Sequence, residues 1–356
     1  MSAARIDTHD AFLRVFFGDG HHADYHWFWL RHECSHDRHP ITNERTLCSS
    51  DVPIGIHPTS VELGGDEVRI RWRGEHVQRA ASRYSLAWLR EHAYAPDRED
   101  VPPPSADVGT IEVTLDRDGL LPPHWRESLA RDGAIVGRAR PGFTTSPDHT
   151  ERLVDQIAGA GLGVIETHFG RVEDLRTDNT TNQNTDQLGY TDSAIGLHTD
   201  QPFLDHPPRY QLLHCVRPAE RGGASSLADA DGIARHLAAH DAPTLARLET
   251  TPVRFHRKQK AFERLVVSPI LARHGERYQA RLSPFTMAPH RVPFAEMEAW
   301  YRAYARFVSL ANTRAMRFTL GEGDVILYDN HRMLHGRTGF RGARWVRGVY
   351  FDGAPS

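Results

Sequence analysis

The sequence predicts a mostly β protein with flanking helices: a double-stranded β-helix (jelly roll) preceded by a small β-rich domain. Many short apolar segments alternate with turn residues, and helical patterns are few, as in jelly rolls. A proline-rich, charged stretch at residues 96–107 separates a front unit, residues 1–95, from a larger unit, residues 108–356. The candidate metal ligands His198 and Asp200 precede His335 by about 135 residues (335 minus 200), so a folded-back sheet must join them.

The front unit reads as strands with one helix. AFLRVFF, residues 11–17, is a strand, and HWFWLRHEC, residues 26–34, is a second segment whose type is left open. VELGGDEVRIRW predicts a hairpin with Gly64 and Gly65 in its turn, and YSLAWLREHAY, residues 84–94, has helical spacing. The prolines of residues 96–107 then end regular structure.

The larger unit alternates strands and helices before the ligand pair. TIEVTL and GAIVGRA are strands, LPPHWRESLARDG is a helix with Pro123 in its first turn, and TSPDHTERLVDQIAGAG is a helix that begins at Ser146 or Asp148 and ends at Gly161. The polar stretch at residues 176–189 lacks apolar surface and is a candidate active-site lid.

Strands dominate after the ligand pair. RYQLLHCV is a strand, and RGGASSLADADG is a turn leading into the helix GIARHLAAH. The longest amphipathic helix is AEMEAWYRAYARFVSLAN, whose apolar stripe we expect in the core. MRFTL, DVILYDN and RWVRGVYFD are the last strands.

Composition excludes several classes of partner. A net charge of -3 over 356 residues gives no electrostatic footprint for nucleic acid or an anionic membrane. Three cysteines are too few for a disulfide framework and favour a reducing compartment. Because the N-terminal stretch has no apolar run that would form a signal peptide or membrane span, we expect a soluble, cytoplasmic protein that acts on a small molecule.

The chemistry of the chain centres on His198, Asp200 and His335. Residues two apart on a strand share a face, so the HTD pair can present two ligands to one ion, with His335 as the third. Two imidazoles and a carboxylate with open positions suit iron(II) in oxygenases. The same ligands also occur in hydrolytic zinc sites, and ordinary solvated side chains are the alternative without a metal.

The ordered set with its flanks resembles a known family. HTDQPFLDHPPRYQLLHC, GDVILYDNHRMLHGRTGF and RWVRGVY are similar to the iron(II) and 2-oxoglutarate-dependent dioxygenases of the γ-butyrobetaine hydroxylase and taurine dioxygenase branch, from about Val108 to Phe351. WLRHEC and HPITNER resemble the front domain of the same family. The resemblance implies a homodimer that uses iron(II), 2-oxoglutarate and O2 to hydroxylate a small molecule.

Two further assignments concern the cosubstrate and the substrate. Arg344, rather than Arg347, matches the arginine that binds 2-oxoglutarate, and alternation along RWVRGVYFD places Arg344 and Tyr350 on one face. Tyr190 and Tyr350 match tyrosines of an aromatic cage for a quaternary ammonium, as in betaines or trimethylaminoethylphosphonate. The cage tryptophan has no counterpart, so a sulfonate, an amino acid or a biosynthetic intermediate stays open as substrate, as does a non-catalytic jelly-roll binding protein.

The front unit also resembles a zinc-binding domain. Cys34, His36, His39 and His76 match the zinc-ligand positions of the family, with histidine in place of cysteine at two of them and Cys48 as a further donor. A structural zinc and a metal-free version of the domain are both compatible with this pattern.

Overall fold

A computed structural model of the chain describes residues 4–73, 81–93, 111–177, 187–259 and 262–353. The predicted linker at residues 96–107, residue His76 and residues 178–186 of the predicted lid lie outside the described residues. No helix within the described ranges is both long enough and apolar enough to cross a membrane.

The front of the chain forms two three-stranded antiparallel sheets with short helices. Its elements are β1 (Arg5–Thr8), β2 (Phe12–Phe16), β3 (His22–His26), α1 (Trp27–His32), β4 (Pro58–Gly64), β5 (Glu67–Trp72), β6 (Ser82–Ser85) and α2 (Leu86–Glu91). The segment HWFWLRHEC, whose type the sequence left open, contains helix α1, and all of that helix is buried. In the β4–β5 hairpin, Gly64 pairs with Glu67, and Gly65 in the turn has a φ of 65°, which glycine adopts without strain.

The larger unit contains most of the strands. In chain order its elements are β7 (Glu112–Thr114), α3 (Trp125–Asp132), β8 (Ala134–Arg138), α4 (Pro147–Gly159), β9 (Gly163–Ile165), β10 (Glu173–Arg176), β11 (Ile195–His198), β12 (Tyr210–Arg217), β13 (Arg221–Gly222), β14 (Ser225–Asp229), α5 (Ala230–His240), α6 (Ala242–Thr250), β15 (Val253–Gln259), β16 (Phe262–Ser268), β17 (Leu271–His274), β18 (Arg277–Ala280), α7 (Phe294–Arg314), β19 (Met316–Phe318), β20 (Val325–Asp329), β21 (Met333–Arg337), β22 (Phe340–Arg341) and β23 (Trp345–Asp352).

Two sheets of this unit form the jelly roll. The larger has the order β10-β23-β12-β20-β8-β7, with β9 also paired to β23, and the smaller has the order β11-β21-β14-β19. Side chains of both sheets share one apolar cluster, in which Ile326 and Val346 of the larger sheet pack with Leu227 and Met333 of the smaller. The predicted class, mostly β with flanking helices and a jelly roll, is confirmed.

Helix α7 closes one side of the core. The predicted stripe of α7 is buried throughout: Met297, Trp300, Tyr304, Phe307 and Ala311. The residues of this stripe pack in the same cluster as apolar side chains of the front unit, including Trp29 and Tyr25. The front and larger units therefore share a core.

One predicted turn is wrong. The stretch RGGASSLADADG contains strands β13 and β14, and helix α5 begins at Ala230 rather than at Gly232. β14 lies between β21 and β19, so its backbone is paired on both sides by segments about 100 residues later in the chain. Its serines give no apolar alternation, which is why the strand resembles a loop in the sequence.

Candidate active site

Strand pairing brings the two candidate histidine ligands together. β11 and β21 are antiparallel neighbours, and His198 and His335 are direct partners in their register. The centroids of the two imidazole rings are 4.1 Å apart. β11 ends at His198, so Asp200 lies beyond the strand and not on it as the sequence analysis assumed.

Asn330 fixes the position of Asp200. The Asn330 side-chain oxygen accepts a hydrogen bond from the Asp200 backbone N–H at 2.7 Å, and its amide nitrogen donates to the Asp200 carbonyl at 3.0 Å. Asn330 is 1% exposed and follows β20 directly. A buried side chain that follows a strand of the larger sheet therefore provides hydrogen bonds in place of the strand pairing that Asp200 lacks.

The three side chains converge on one point. One donor atom from each of His198, Asp200 and His335 lies within 4.8 Å of the others, and this is the one such group of three found among the described residues. The Asp200 Oδ1 atom is 3.3 Å from His198 Nε2 and 3.7 Å from His335 Nε2. His198 Nδ1 is 2.9 Å from the Gly196 carbonyl, so Nδ1–H donates there and Nε2 keeps its lone pair for a metal.

The electrostatics also suit a divalent cation. Burial alone would raise the pKa of Asp200, but the two imidazoles and the Tyr350 hydroxyl hold that pKa well below its usual range. Burial lowers the pKa of His335 to about 3, with His198 acting in the same direction. An ionised carboxylate beside two imidazoles is a donor set that fits iron(II).

Tyr350 connects the larger sheet to this group. Its hydroxyl donates to Asp200 Oδ2 at 2.7 Å, and its side chain is 3% exposed. Burial raises the pKa of Tyr350, so the phenol keeps the proton that it donates. Tyr350 thus lines the cavity, as predicted, and also orients the carboxylate of Asp200.

A cavity of about 100 Å³ opens beside the three ligands. Arg344 and Tyr350 both line it, as alternation along the last strand predicted. Arg347 points to the opposite face, where its side chain is 3.3 Å from Asp174 and 3.6 Å from Glu151. By contrast, no carboxylate of the described residues pairs with Arg344, and burial lowers the pKa of its guanidinium.

The structure places Tyr190 behind the cavity wall. Tyr190 belongs to a 3₁₀ helix, Leu188–Tyr190, and is 5% exposed, but the residues that line the cavity do not include it. Its hydroxyl donates to Glu173 Oε1 at 2.9 Å, and the Gln187 amide donates to the same oxygen. The lining position is held by Glu173, which the sequence analysis did not select.

The front unit reaches this cavity through Glu44. Glu44 lies in the segment HPITNER and accepts hydrogen bonds from the Arg257 guanidinium and from the backbone N–H of Leu188. Glu44 and Arg257 are 7% and 5% exposed. Their ion pair is therefore buried, and it joins the front unit to β15 and to the 3₁₀ helix that carries Tyr190.

Arg337 is a further residue that the sequence analysis missed. Its guanidinium donates to the backbone carbonyls of Leu188, Thr191 and Ser193. Burial lowers the pKa of Arg337 to about 9. Arg337 therefore mainly holds the segment before β11 in place through these hydrogen bonds, although it also lines the cavity.

The predicted zinc ligands do not assemble within the described residues. Cys34, His36 and His39 form no close donor group of three there, and His76 lies outside the described ranges. The Cys34 thiol accepts a hydrogen bond from the Ser82 hydroxyl at 3.0 Å, and His39 Nδ1 accepts one from the Thr42 N–H at 3.3 Å. The zinc site stays a prediction.

Two family models match the chain. Residues 100–350 match the taurine catabolism dioxygenase TauD, TfdA family, and residues 4–90 match the γ-butyrobetaine hydroxylase-like N-terminal model. Together these models match nearly the whole chain and agree with the resemblance seen in its motifs.

Named relatives match over most of their length. The γ-butyrobetaine dioxygenase of Pseudomonas sp. (strain AK-1) is 31% identical, with 96% of this chain and 90% of the relative covered. The dioxygenase str8 of Strobilurus tenacellus is 29% identical, with 91% and 82% covered. The trimethyllysine dioxygenase of Meyerozyma guilliermondii is 25% identical, with 96% and 90% covered.

Solved structures agree with the fold. The PvcB protein of Pseudomonas aeruginosa aligns with a TM-score of 0.51 and 20% identity, over 74% of this chain and 95% of that one. At this level of identity the similarity supports the jelly-roll architecture alone.

Proposed function

The chain belongs to the taurine catabolism dioxygenase TauD, TfdA family, and on that premise we propose that it hydroxylates a small zwitterion with a quaternary ammonium group, of the betaine or trimethylaminoethylphosphonate type. It is an iron(II)- and 2-oxoglutarate-dependent oxidoreductase, which couples substrate oxidation to conversion of 2-oxoglutarate to succinate and CO2. The observation that supports this reaction class most directly is the convergence of His198, Asp200 and His335 on the wall of a cavity that also contains Arg344.

We assign the iron to the three converging side chains. His198 and His335 would bind through Nε2 and Asp200 through Oδ1, the atoms that already face one another. Iron(II) bound there with 2-oxoglutarate supplies the activation of O2 that hydroxylation of an unactivated C–H bond needs. Tyr350 holds the second oxygen of Asp200 by a hydrogen bond, which leaves Oδ1 directed at the metal position.

We assign Arg344 to the distal carboxylate of 2-oxoglutarate. A guanidinium offers two parallel N–H donors to a carboxylate and stays charged in a partly dry site. Arg344 lines the same cavity as the three iron ligands, and no described carboxylate neutralises it. The anionic cosubstrate would supply its missing counter-charge.

The names of two relatives and the position of Tyr350 support the substrate class. Two of the relatives are named for γ-butyrobetaine and trimethyllysine, which both carry a trimethylammonium group. In this chain Tyr350 lines the cavity directly, whereas Tyr190 acts through Glu173. A sulfonate, an amino acid or a biosynthetic intermediate is the alternative substrate for the same chemistry.

The organisation beyond the site is part of the proposal. We retain a small N-terminal domain at residues 1–95, a linker at 96–107 and the dioxygenase domain at 108–356, supported by the two family models. A homodimer follows from the family resemblance, and the free thiols of Cys34, Cys48 and Cys215 support a reducing, cytoplasmic location.

Succinate release tests the proposed function. The full chain is supplied with iron(II), ascorbate and 2-oxoglutarate, and succinate is measured with γ-butyrobetaine, trimethyllysine, trimethylaminoethylphosphonate, taurine and free amino acids. We expect stimulation by one trimethylammonium compound and none in His198→Ala, with the exposed His274→Ala as the matched control.

Each other outcome has a separate meaning. Stimulation by taurine or an amino acid alone would keep the reaction class and move the substrate to the alternative class. Absence of succinate from a protein shown to bind iron would refute the proposed activity and favour a binding protein. Succinate formation that does not depend on His198 would refute the assignment of the ligands.

A further inference from the structure

One buried carboxyl group in the cavity, that of Glu173, has no cationic partner among the described residues. Glu173 lies on β10 opposite Gly348 of β23, and alternation along β10 directs Glu173 and Leu175 into the cavity and Asp174 away from it. Glu173 is 3% exposed. It therefore faces the site of reaction from the same sheet as Tyr350.

Within the described residues, the hydrogen bonds to Glu173 reach one of its two oxygens. Tyr190 and Gln187 both donate to Oε1, and both donors are neutral. No hydrogen bond within the described residues reaches Oε2. A neutral donor compensates a buried carboxylate less well than a cation, so the described residues compensate this group only in part.

The other charges of the cavity are already paired or assigned. Glu44 is ion-paired with Arg257, Arg337 is engaged by three backbone carbonyls, and Arg344 is assigned to 2-oxoglutarate. No described cation pairs with Glu173, and residues 178–186 contain no Lys, Arg or His in the sequence. Burial and the nearby Asp200 carboxylate raise the pKa of Glu173 to about 8, and the opposing effect of Arg257 is smaller.

We infer that Glu173 is the counter-ion for the cationic group of the substrate. This inference rests on the proposed function and deepens it, because it adds a carboxylate to a subsite for which the sequence offered only aromatic rings. A substrate cation beside Glu173 would supply the positive charge that no described residue provides, while Tyr190 and Gln187 hold the carboxyl group in place. Glu173 then selects cationic substrates over neutral substrates of the same shape.

Matched pairs of ligands isolate the charge from the shape. γ-Butyrobetaine is compared with 5,5-dimethylhexanoate, in which carbon replaces the nitrogen, and γ-aminobutyrate is compared with pentanoate. Binding is measured by calorimetry under anaerobic conditions, on the full chain loaded with iron(II) and 2-oxoglutarate. The first pair reports a quaternary ammonium and the second an N–H-bearing ammonium, so the preferred pair identifies the type of cation.

We expect the wild type to prefer the cation in at least one pair by about 10-fold or more, and Glu173→Gln to reduce that preference by about 10-fold. Glutamine keeps the size of the side chain and an oxygen that accepts from Tyr190, so only the charge is removed. The conservative variant Glu173→Asp should retain part of the preference. Glu62→Gln, at an exposed position on β4, is the matched control and should leave the preference unchanged.

Two results would overturn the inference. One is a wild type that binds each cation no more tightly than its neutral partner, which needs no variant to fold. The other is a folded Glu173→Gln that keeps the full preference, which would mean that Glu173 is a neutral, structural carboxyl group. Failure of the proposed function is distinct from both results. It would appear as a wild type that forms no succinate in a reaction that requires His198.

Discussion

Replacement of Arg344 by alanine should raise the KM for 2-oxoglutarate with little effect on iron binding. Arg344 lines the cavity without a described carboxylate partner, so the cosubstrate would provide its counter-charge. Loss of one partner of a buried charge pair costs about 2 to 5 kcal/mol, and each 1.4 kcal/mol is tenfold in affinity. Because Arg344 is only partly buried, we expect the lower part of that range, an increase in KM of roughly 30- to 300-fold.

Arg347→Ala is the matched control for this prediction. Arg347 lies three residues later on the same strand, but its partners Asp174 and Glu151 are on the opposite face. Its loss should lower the thermal midpoint and leave the KM for 2-oxoglutarate within about threefold of the wild type. Arg344→Lys, which keeps the charge and loses the bidentate geometry, should fall between alanine and wild type.

The assay is steady-state succinate formation at varied 2-oxoglutarate, with iron binding measured separately. An unchanged KM for 2-oxoglutarate in Arg344→Ala, together with a large increase of this KM in Arg347→Ala, would refute the assignment of Arg344 to 2-oxoglutarate. It would also refute the prediction, made from alternation along the last strand, of the face on which each arginine lies. A loss of iron in Arg344→Ala would mean that the residue acts on the metal ligands.

Three other outcomes follow from the site. Tyr350→Phe removes the donor to Asp200 and should weaken iron(II) binding about 10-fold in a metal titration; unchanged binding would contradict that role. Glu44→Gln should raise the KM for the substrate that is hydroxylated and increase the amount of succinate formed without hydroxylated product, because the charged acceptor that holds the Leu188 N–H is lost. A change in thermal midpoint alone would contradict this prediction. In the metal-free protein, the pKa of Glu173 is raised from 4.5 to about 8, so the folded chain retains a proton that the unfolded chain releases across this window. The free energy of unfolding should therefore fall as the pH rises through this window, by at most about 1.4 kcal/mol per pH unit relative to Glu173→Gln. The same pH dependence of stability in wild type and Glu173→Gln, measured by denaturation, would contradict the prediction.

Local patterns predicted the long, strongly periodic elements well. The buried stripe on α7 and the last strands could be predicted because a continuous apolar face is visible in the spacing of the side chains alone. β14 was missed because Ser225 and Ser226 carry no apolar alternation, and its strand character comes from partners on β19 and β21.

The sequence by itself determined the chemical inventory: two histidines and an aspartate as ligand types, an arginine nine residues after the last ligand, and the alternation that sets Arg344 and Arg347 on opposite faces. Only the tertiary structure decided which groups share the cavity. Glu44 meets Arg257 across 213 positions, and Glu173 takes the lining place that Tyr190 was expected to occupy. Spacing encodes faces of a helix or strand, whereas burial, charge compensation and hydrogen bonds between distant segments exist only once the chain has folded.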